Sequence, residues 1–280
     1  MYKLPELSKG VVSLQELSKE KYNGLIALFQ NKCCPTFVYS ILDQTIPGIV
    51  YVDDQTLPKS FFIGTESGIY YIAGEHGNQE FNDFIAGFYE AQSKSTKRFT
   101  LFSSSDTWDR VMKTILKDEL NQMKRMAFSF QQKPSKTVFR LPKGLILKRI
   151  DEDIISNSTA FNRAYYEEYW DSVSHFSANG FGFAVVHGNH VVSECTSIFL
   201  GHNRAEMDIY TLEEYRGMGL ASCVGSEFIE FCLKNGIIPS WDCDVCNKSS
   251  IALATKLGFK AKIQYSIFYS GKSYMSSKAR

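Results

Sequence analysis

The segment Tyr215-Arg216-Gly217-Met218-Gly219-Leu220-Ala221 lies between a predicted β-strand, residues 205–211, and a predicted α-helix, residues 220–234. Glycine relieves the backbone where a chain turns sharply into a helix, and the first turn of a helix has N–H groups without helical partners. With the positive end of the helix dipole and the charge of Arg216, such a turn can hold a diphosphate. A short glycine-rich turn also occurs in ordinary strand-to-helix connections, so the turn alone leaves both interpretations open.

The elements around this turn follow a definite order. Apolar patterns predict three strands, a helix, a strand, a helix and a last strand. In chain order these are residues 182–187, 191–200, 205–211, 220–234, 237–243, 248–257 and 260–269. A strand at 145–149 and a helical region at 151–170 precede them. Gly188 and Asn189 tolerate a positive φ, which predicts a hairpin between the first two strands.

Two motifs in this half resemble those of the GNAT superfamily of acyl-CoA-dependent N-acyltransferases. Arg216, Gly219 and Ala221 match the signature Arg/Gln-x-x-Gly-x-Gly/Ala. Asn247 begins the next predicted helix, twelve residues before Phe259, which is the usual spacing in the superfamily. Residues 145–270 are therefore identified as a member of it. Within these, residues 211–221 and 241–259 resemble the subgroup that includes zwittermicin A resistance acetyltransferases.

The resemblance implies a GNAT fold, a mixed and mostly antiparallel sheet flanked by helices. It also implies that acetyl-CoA, the co-substrate, binds where strands 205–211 and 237–243 separate, and that an amine attacks the thioester directly while a backbone N–H stabilises the oxyanion. No metal is required. The residues that it assigns to acetyl-CoA are Ile209, Tyr210, Thr211, Leu212, Arg216, Gly217, Met218, Gly219, Leu220, Ala221, Asn247 and Ser250.

Three carboxyl groups are candidates for the base that accepts the proton of the amine. Glu206 and Asp208 alternate along strand 205–211, so their side chains share the face opposite Met207. Glu194 interrupts the otherwise apolar strand 191–200. The alternative is that all three are charges on solvated strand faces.

The sequence departs from the superfamily at Ala254. Many members have a tyrosine seven residues after the asparagine, where it protonates the departing CoA thiolate. A thiol with a reference pKa of about 8.5 is a tolerable leaving group, so a donor is not essential, but the usual general acid is missing here. This absence makes a regulatory module that binds acyl-CoA without turnover an alternative to an enzyme.

Aromatic residues define the expected wall of the acceptor site. Tyr165, Tyr169 and Trp170 lie where GNAT enzymes place a variable helix beside the acceptor. Aromatic rings next to carboxylates suit an amine through cation–π contact and ion pairing. The alternative is that the rings belong to the core.

The N-terminal half repeats the same order of elements. Its strands are predicted at 49–52, 60–64, 68–72 and 98–102, and its helices at 14–30, 81–91 and 107–123. The turn at 73–79 lacks an arginine and contains Glu75, which disfavours a diphosphate. We therefore expect an α/β domain at 1–135 that is a degenerate GNAT-like repeat without a second cofactor, and a catalytic domain at 136–280. An unrelated α/β domain is the alternative.

Composition restricts the partners. With 31 Lys and Arg against 30 Asp and Glu, no global charge favours nucleic acid, and no apolar stretch has the length of a membrane helix. Seven scattered cysteines do not form a disulfide framework or a zinc site. We expect a cytoplasmic N-acetyltransferase, compatible with a homodimer, that acts on a small-molecule amine such as an antibiotic or related metabolite. The alternative to acetyl transfer is transfer of an aminoacyl or longer acyl group.

Overall fold

The computed structural model describes residues 14, 16–29, 34–94, 98–116, 120–131 and 141–270. The chain divides into two compact units, Met1–Arg125 with Gln264–Arg280 and Met126–Ile263. The sequence predicts a division at residue 135, in the polar segment 131–136, of which only Gln131 lies in the described part. The compact units change over after Arg125 and after Ile263, because two long strands each begin in one unit and end in the other. The domain bounds 1–135 and 136–280 stay a prediction.

The first unit contains helices that flank a sheet. Its elements are a 3-10 turn at Lys19–Lys21, α1 (Tyr22–Phe29), α2 (Thr36–Leu42), β1 (Gly48–Val52), β2 (Ser60–Thr65), β3 (Ile69–Gly74), α3 (Gln79–Ser93), β4 (Thr100–Ser103), α4 (Asp106–Ile115) and the start of β5 (Asn121–Phe130). β1, β2 and β3 form an antiparallel meander, and α3 then crosses to β4, which is parallel to β3. The predicted strand order of this half is confirmed.

Two helices of the first unit differ from the sequence prediction. The helix expected at 14–30 is a 3-10 turn followed by α1, and the helix expected at 107–123 ends at Ile115. Beyond Ile115 the described chain forms β5. Met126, Phe128 and Phe130 alternate along β5 and pack in the core of the second unit, which is the period of a strand and not of a helix.

The second unit contains the end of β5 and the elements of the predicted GNAT order. They are β6 (Leu145–Arg149), α5 (Glu152–Asn157), α6 (Arg163–Trp170), α7 (Val173–Asn179), β7 (Gly182–His187), β8 (His190–Gly201), β9 (Arg204–Thr211), α8 (Leu220–Lys234), β10 (Ile238–Asp244), α9 (Lys248–Lys256) and the start of β11 (Phe259–Tyr269). The expected helical region 151–170 is two helices, and α7 was not anticipated. Ser172 caps α7 by accepting a hydrogen bond from the N–H of His175.

In the second unit the strand order is β11, β5, β10, β9, β8, β7 and β6. β6 to β9 are antiparallel neighbours, and β10 is parallel to β9. Helix α8 covers one face of this sheet, where Cys195, Met207, Val224 and Phe228 are buried in one cluster. Each large apolar side chain buried there contributes about 1.5–3 kcal/mol relative to its exposure to water.

Long-range hydrogen bonds hold the parts of β5 and β11 that belong to the first unit. The Asp109 carboxyl on α4 accepts hydrogen bonds from Ser266 Oγ on β11 and from Gln122 Nε2 on β5, the latter at 3.2 Å. Ile267, Phe268 and Tyr269 pair with β4 in antiparallel register. No helix among the described residues is long and apolar enough to cross a membrane.

Candidate active site

Strands β9 and β10 separate along their length. They pair in parallel at three positions, from Ile238 with Arg204 to Ser240 with Glu206. Beyond this point β9 continues to Thr211 and β10 to Asp244, without further register pairs. The separation leaves one edge of each strand unpaired by the other, at the position where the resemblance predicts acyl-CoA.

The hydrogen bonds of β9 show which backbone groups face this gap. The N–H of Leu212 donates to Val192 O on the β8 side at 3.0 Å, and Asn203 O accepts from Ile238 N on the β10 side at 2.7 Å. Because backbone groups alternate in direction along a strand, the N–H groups of Ile209 and Thr211 point away from β8, towards the gap. The expected pantetheine edge at 209–212 therefore offers those two donors.

The glycine turn before α8 has the conformation that only glycine adopts readily. Gly217 and Gly219 both have a φ of 80°, and Gly219 is the N-cap of α8. Without a side chain, Gly219 cannot cap the first N–H groups of the helix, which leaves them for a ligand. Arg216 Nε donates to Thr211 O at 3.2 Å, which holds this side chain at the end of β9.

A contact between Tyr215 and His187, which the sequence did not predict, supports the turn. Tyr215 OH lies 2.8 Å from His187 Nδ1, which joins the end of β7 to the residue before Arg216. No sequence pattern pointed to this pair, because its members are 28 residues apart. The contact helps to keep the turn in place.

The second motif caps α9. Asn247 Oδ1 accepts hydrogen bonds from Ser250 N at 3.0 Å and from Ser249 Oγ at 2.8 Å. Ser250 Oγ accepts from Trp241 Nε1 at 3.1 Å. In this structure Asn247 and Ser250 thus organise the end of β10 and the start of α9, and any contact with acetyl-CoA would add to these roles.

Ala254, the position of the usual tyrosine, is fully buried in the core of the second unit. A tyrosine at this position would have to displace core side chains. The small side chain of Ala254 therefore fits the packing of α9 against the core, and this position supplies no general acid.

The carboxyl groups of β9 lie on the face opposite α8, as the alternation predicts. Met207 is buried in the α8 cluster, whereas Glu206 and Asp208 are half-buried on the other face. Asp208 is the register partner of Thr196 on β8 and lies on the separated stretch of β9. Glu206 is still paired with Ser240, before the gap opens.

Glu194 is enclosed on the same face. Its side chain is 2% exposed, Ser158 Oγ donates to Oε1 at 2.6 Å, and the buried Oε2 has no hydrogen bond to any described residue. Burial raises the pKa of Glu194 to about 7; the hydrogen bond from Ser158 opposes this rise and the charge of Asp208 adds to it. The interpretation of Glu194 as a solvated strand charge is wrong.

Helix α6 places aromatic rings over the face of the sheet that carries Glu194 and Asp208. Tyr165 OH donates to Asp208 Oδ2 at 2.9 Å, and Trp170 Nε1 donates to Ser197 O at 2.9 Å. Tyr165 and Trp170 are 1% and 0% exposed, so in this structure neither reaches an acceptor directly. Tyr169 is half-buried, with its ring 5.7 Å from that of Phe199.

Comparison with known proteins decides the family. The GNAT acetyltransferase family matches residues 26–268, a range that extends from α1 to β11. The chain belongs to the GNAT acetyltransferase family. It is therefore an acyl-CoA-dependent acetyltransferase, and the family match takes in both units.

Relatives of this GNAT protein cover nearly its whole length. A protein of Bacillus subtilis (strain 168), named uncharacterized N-acetyltransferase YdfB, is 75% identical over 258 residues, 92% of this chain and 99% of its own. A GCN5-related N-acetyltransferase-like protein from Streptococcus suis 89/1591 has a TM-score of 0.66 and 23% identity, covering 90% of this chain and 99% of its own. A tandem GNAT protein from the clavulanic acid biosynthesis pathway has a TM-score of 0.63 and 13% identity, covering 92% and 98%. These two structures share the fold.

The first unit repeats the GNAT topology without the gap. β3 and β4 pair at four positions, from Ile69 with Thr100 to Ile72 with Ser103, and the N–H of Ser104 still donates to Ile72 O at 3.2 Å. Trp108 Nε1 on α4 donates to Gly74 O, the last residue of β3, at 3.1 Å. The two strands therefore stay paired where β9 and β10 separate.

The turn before α3 also differs from the turn before α8. Asn78, the N-cap of α3, accepts a hydrogen bond from Phe81 N at 3.1 Å, so the helix caps one of its own donors. Glu75 lies in this turn and forms an exposed ion pair with Lys59.

In the part of the chain that the structure describes, no group of three or more His, Cys, Asp or Glu could hold a metal ion.

Proposed function

We propose that the second unit transfers an acetyl group from acetyl-CoA to the amine of a small molecule by direct attack. The observation that carries this proposal is the separation of β9 from β10 beyond Glu206, with Asp208 on the separated stretch and on the face that α6 covers. Cofactor and acceptor would thus meet at one short stretch of β9.

The groups proposed for acetyl-CoA lie along one path. The N–H groups at the start of α8, in the turn formed by 216–221, would bind the diphosphate, and Arg216 would supply a positive charge. The pantetheine arm would pair with backbone groups of 209–212 in the gap. The N–H of Ile209 would then stabilise the negative charge that develops on the thioester oxygen.

Asp208 is the base that we propose. The amine nitrogen forms a bond to the acetyl carbon, the C–S bond breaks, the CoA thiolate leaves, and Asp208 takes the proton of the amine. Glu206 lies before the gap opens, and Glu194 is enclosed one strand further away. Ala254 offers no proton, so the thiolate is released as such or takes a proton from water.

We propose that the acceptor is a small amine that binds beside Tyr169. The ring of Tyr169 is half-buried, and its centroid lies 4.9 Å from that of Tyr165 on the same helix. The resemblance of 211–221 and 241–259 to the zwittermicin A resistance subgroup supports an antibiotic or related metabolite as the acceptor. A cytoplasmic location and a homodimer also stay predictions.

One acetyl-CoA per chain follows from the contrast between the units. The pairing of β3 with β4 and the self-capped turn of α3 disfavour a second cofactor in the first unit. Titration calorimetry with acetyl-CoA measures this number directly. A stoichiometry of two would contradict it.

The test of the function follows the release of free thiol from acetyl-CoA with a panel of small amines. Asp208→Asn should lower kcat by about 10²–10⁴, the usual contribution of a general base, with little change in acetyl-CoA affinity. Glu206→Gln on the same strand is the matched control and should keep most of the turnover. Tight binding of acetyl-CoA without turnover of any amine would favour the regulatory module instead.

A further inference from the structure

Two consecutive tyrosines of α6 reach two residues that face each other across β8 and β9. Tyr165 OH donates to Asp208 Oδ2 at 2.9 Å, and Tyr166 OH donates to Thr196 Oγ1 at 3.1 Å. Asp208 and Thr196 are register partners. One tyrosine thus contacts a carboxylate and the next contacts a neutral hydroxyl, in otherwise similar settings.

The ring of Tyr165 is held on several sides. Its centroid lies 4.6 Å from that of Phe161, 5.3 Å from that of Tyr166 and 4.9 Å from that of Tyr169. A ring in such a cluster has little rotamer freedom, so the position of its hydroxyl is set by the packing of α6.

The hydroxyl of Tyr165 is a permanent donor. Burial, with the nearby charge of Asp208, raises the pKa of Tyr165 well above its usual value, so the phenol stays protonated through the physiological range. Asp208 is half-buried, and each hydrogen bond to an aspartate carboxylate restricts its rotation about the Cβ–Cγ bond. The Tyr165 hydrogen bond restricts that rotation.

We infer that Tyr165 is a positioning residue for acetyl transfer, whose enclosed hydroxyl orients the Asp208 carboxylate at the edge of the gap. This inference rests on the proposed function, in which Asp208 is the base. Tyr165 is 1% exposed, so its hydroxyl acts on the reaction through Asp208, to which it donates. A donor to the carboxylate also favours its ionised form.

Tyr165→Phe tests the inference, and Tyr166→Phe is its matched control. Both substitutions remove one buried hydroxyl, so the loss of stability from that removal is matched between the two variants. The pH titration of the Asp208 carboxyl carbon is followed by NMR in the full chain, and kcat and KM are measured across pH. Asp208→Asn identifies the NMR signal.

With Tyr165→Phe, the Asp208 midpoint should move to higher pH and kcat should fall about tenfold, with the KM for acetyl-CoA unchanged; an interaction of about 1.4 kcal/mol corresponds to such a factor. Tyr166→Phe should leave both the Asp208 midpoint and kcat unchanged. An unmoved midpoint in Tyr165→Phe, or equal effects of the two variants, overturns the inference. Full turnover in Asp208→Asn would show that Asp208 is not the base and would overturn the inference as well. The NMR midpoint needs no acceptor, so it tests the contact between Tyr165 and Asp208 separately from the proposed function.

Discussion

Ser240 on β10 and Glu206 on β9 are the last register partners of these two strands, although both strands continue beyond them. In the first unit the corresponding strands stay paired up to Ile72 and Ser103. The same topology therefore occurs once with an open strand pair and once with a closed one. Acetyl-CoA chemistry is expected only where the pair opens.

Ile209→Pro tests the use of the gap. The N–H of Ile209 points away from β8, so proline removes it without breaking a bond between β8 and β9. If this N–H stabilises the thioester oxygen, kcat should fall by about 10²–10³. Stopped-flow or steady-state thiol release measures the change.

The matched control for this substitution is Ile209→Ala, which shortens the same side chain and keeps the N–H. It should retain most of the turnover. Equal kcat values for a folded Ile209→Pro variant and Ile209→Ala would show that the N–H has no part in the reaction.

Gly219→Glu should abolish measurable binding of acetyl-CoA. An added Cβ meets no atom within 4 Å, so the effect is not a clash within the protein. A carboxylate at this site instead opposes the diphosphate, and the φ of 80° strains any other residue. Calorimetry gives the affinity.

Gly236→Glu is the control for backbone strain. Gly236 has a φ of 67° and equally open surroundings, but it follows the C-terminal end of α8. This variant should lose a similar amount of stability and bind acetyl-CoA normally. If both variants lost affinity alike, strain and not charge would be the cause.

Glu194→Gln should change how stability depends on pH. Because the pKa of Glu194 is raised from 4.5 to about 7, the folded state binds more protons than the unfolded state between these values. The contribution of Glu194 to stability is thus fully present below about pH 4.5 and is lost as the pH rises to about 7. The loss is at most roughly 3.5 kcal/mol, since the two pKa values differ by about 2.5 units at about 1.4 kcal/mol per unit.

The glutamine variant has no such titration. Urea unfolding at pH 5 and pH 8 should therefore show a smaller loss of stability in Glu194→Gln than in the natural protein, while Glu206→Gln should behave like the natural protein. An identical difference between the two pH values in all three proteins would contradict the raised pKa.

Ala254→Tyr should destabilise the protein without improving turnover. Ala254 is fully buried in the core of the second unit, and overpacking such a site costs about 1–3 kcal/mol. Ala252→Tyr, on the exposed side of α9, should be nearly neutral. Thermal unfolding measures both, and a stable Ala254→Tyr variant with higher kcat would show that the site can accept a general acid.

Local patterns predicted much of the second unit. The bounds expected for β6, β7 and α8 agree with the structure, and Gly188 and Asn189 form the expected turn between β7 and β8. These features depend on the period of apolar residues and on the positive φ that glycine accepts, which is 60° at Gly188, and both are properties of neighbouring residues.

Contacts distant in sequence were not predictable in the same way. Residues 121–123 were expected to extend a helix, yet they belong to β5, whose neighbours β10 and β11 lie more than a hundred residues further along the chain. Trp170 was expected at the acceptor and is instead enclosed, with its indole N–H on Ser197 O. Such outcomes depend on which strands pair and how helices dock on them.

The sequence by itself determined the glycine turn at Gly219, the order of strands and helices on both sides of it, and the replacement of the usual tyrosine by Ala254. Only the tertiary structure decided that β9 and β10 part after Glu206, that Glu194 is buried, and that Tyr165 holds Asp208. Periodicity and turn preferences act between residues that are close along the chain. Strand separation, burial and hydrogen bonds across 43 residues, as between Tyr165 and Asp208, arise only when distant segments pack together.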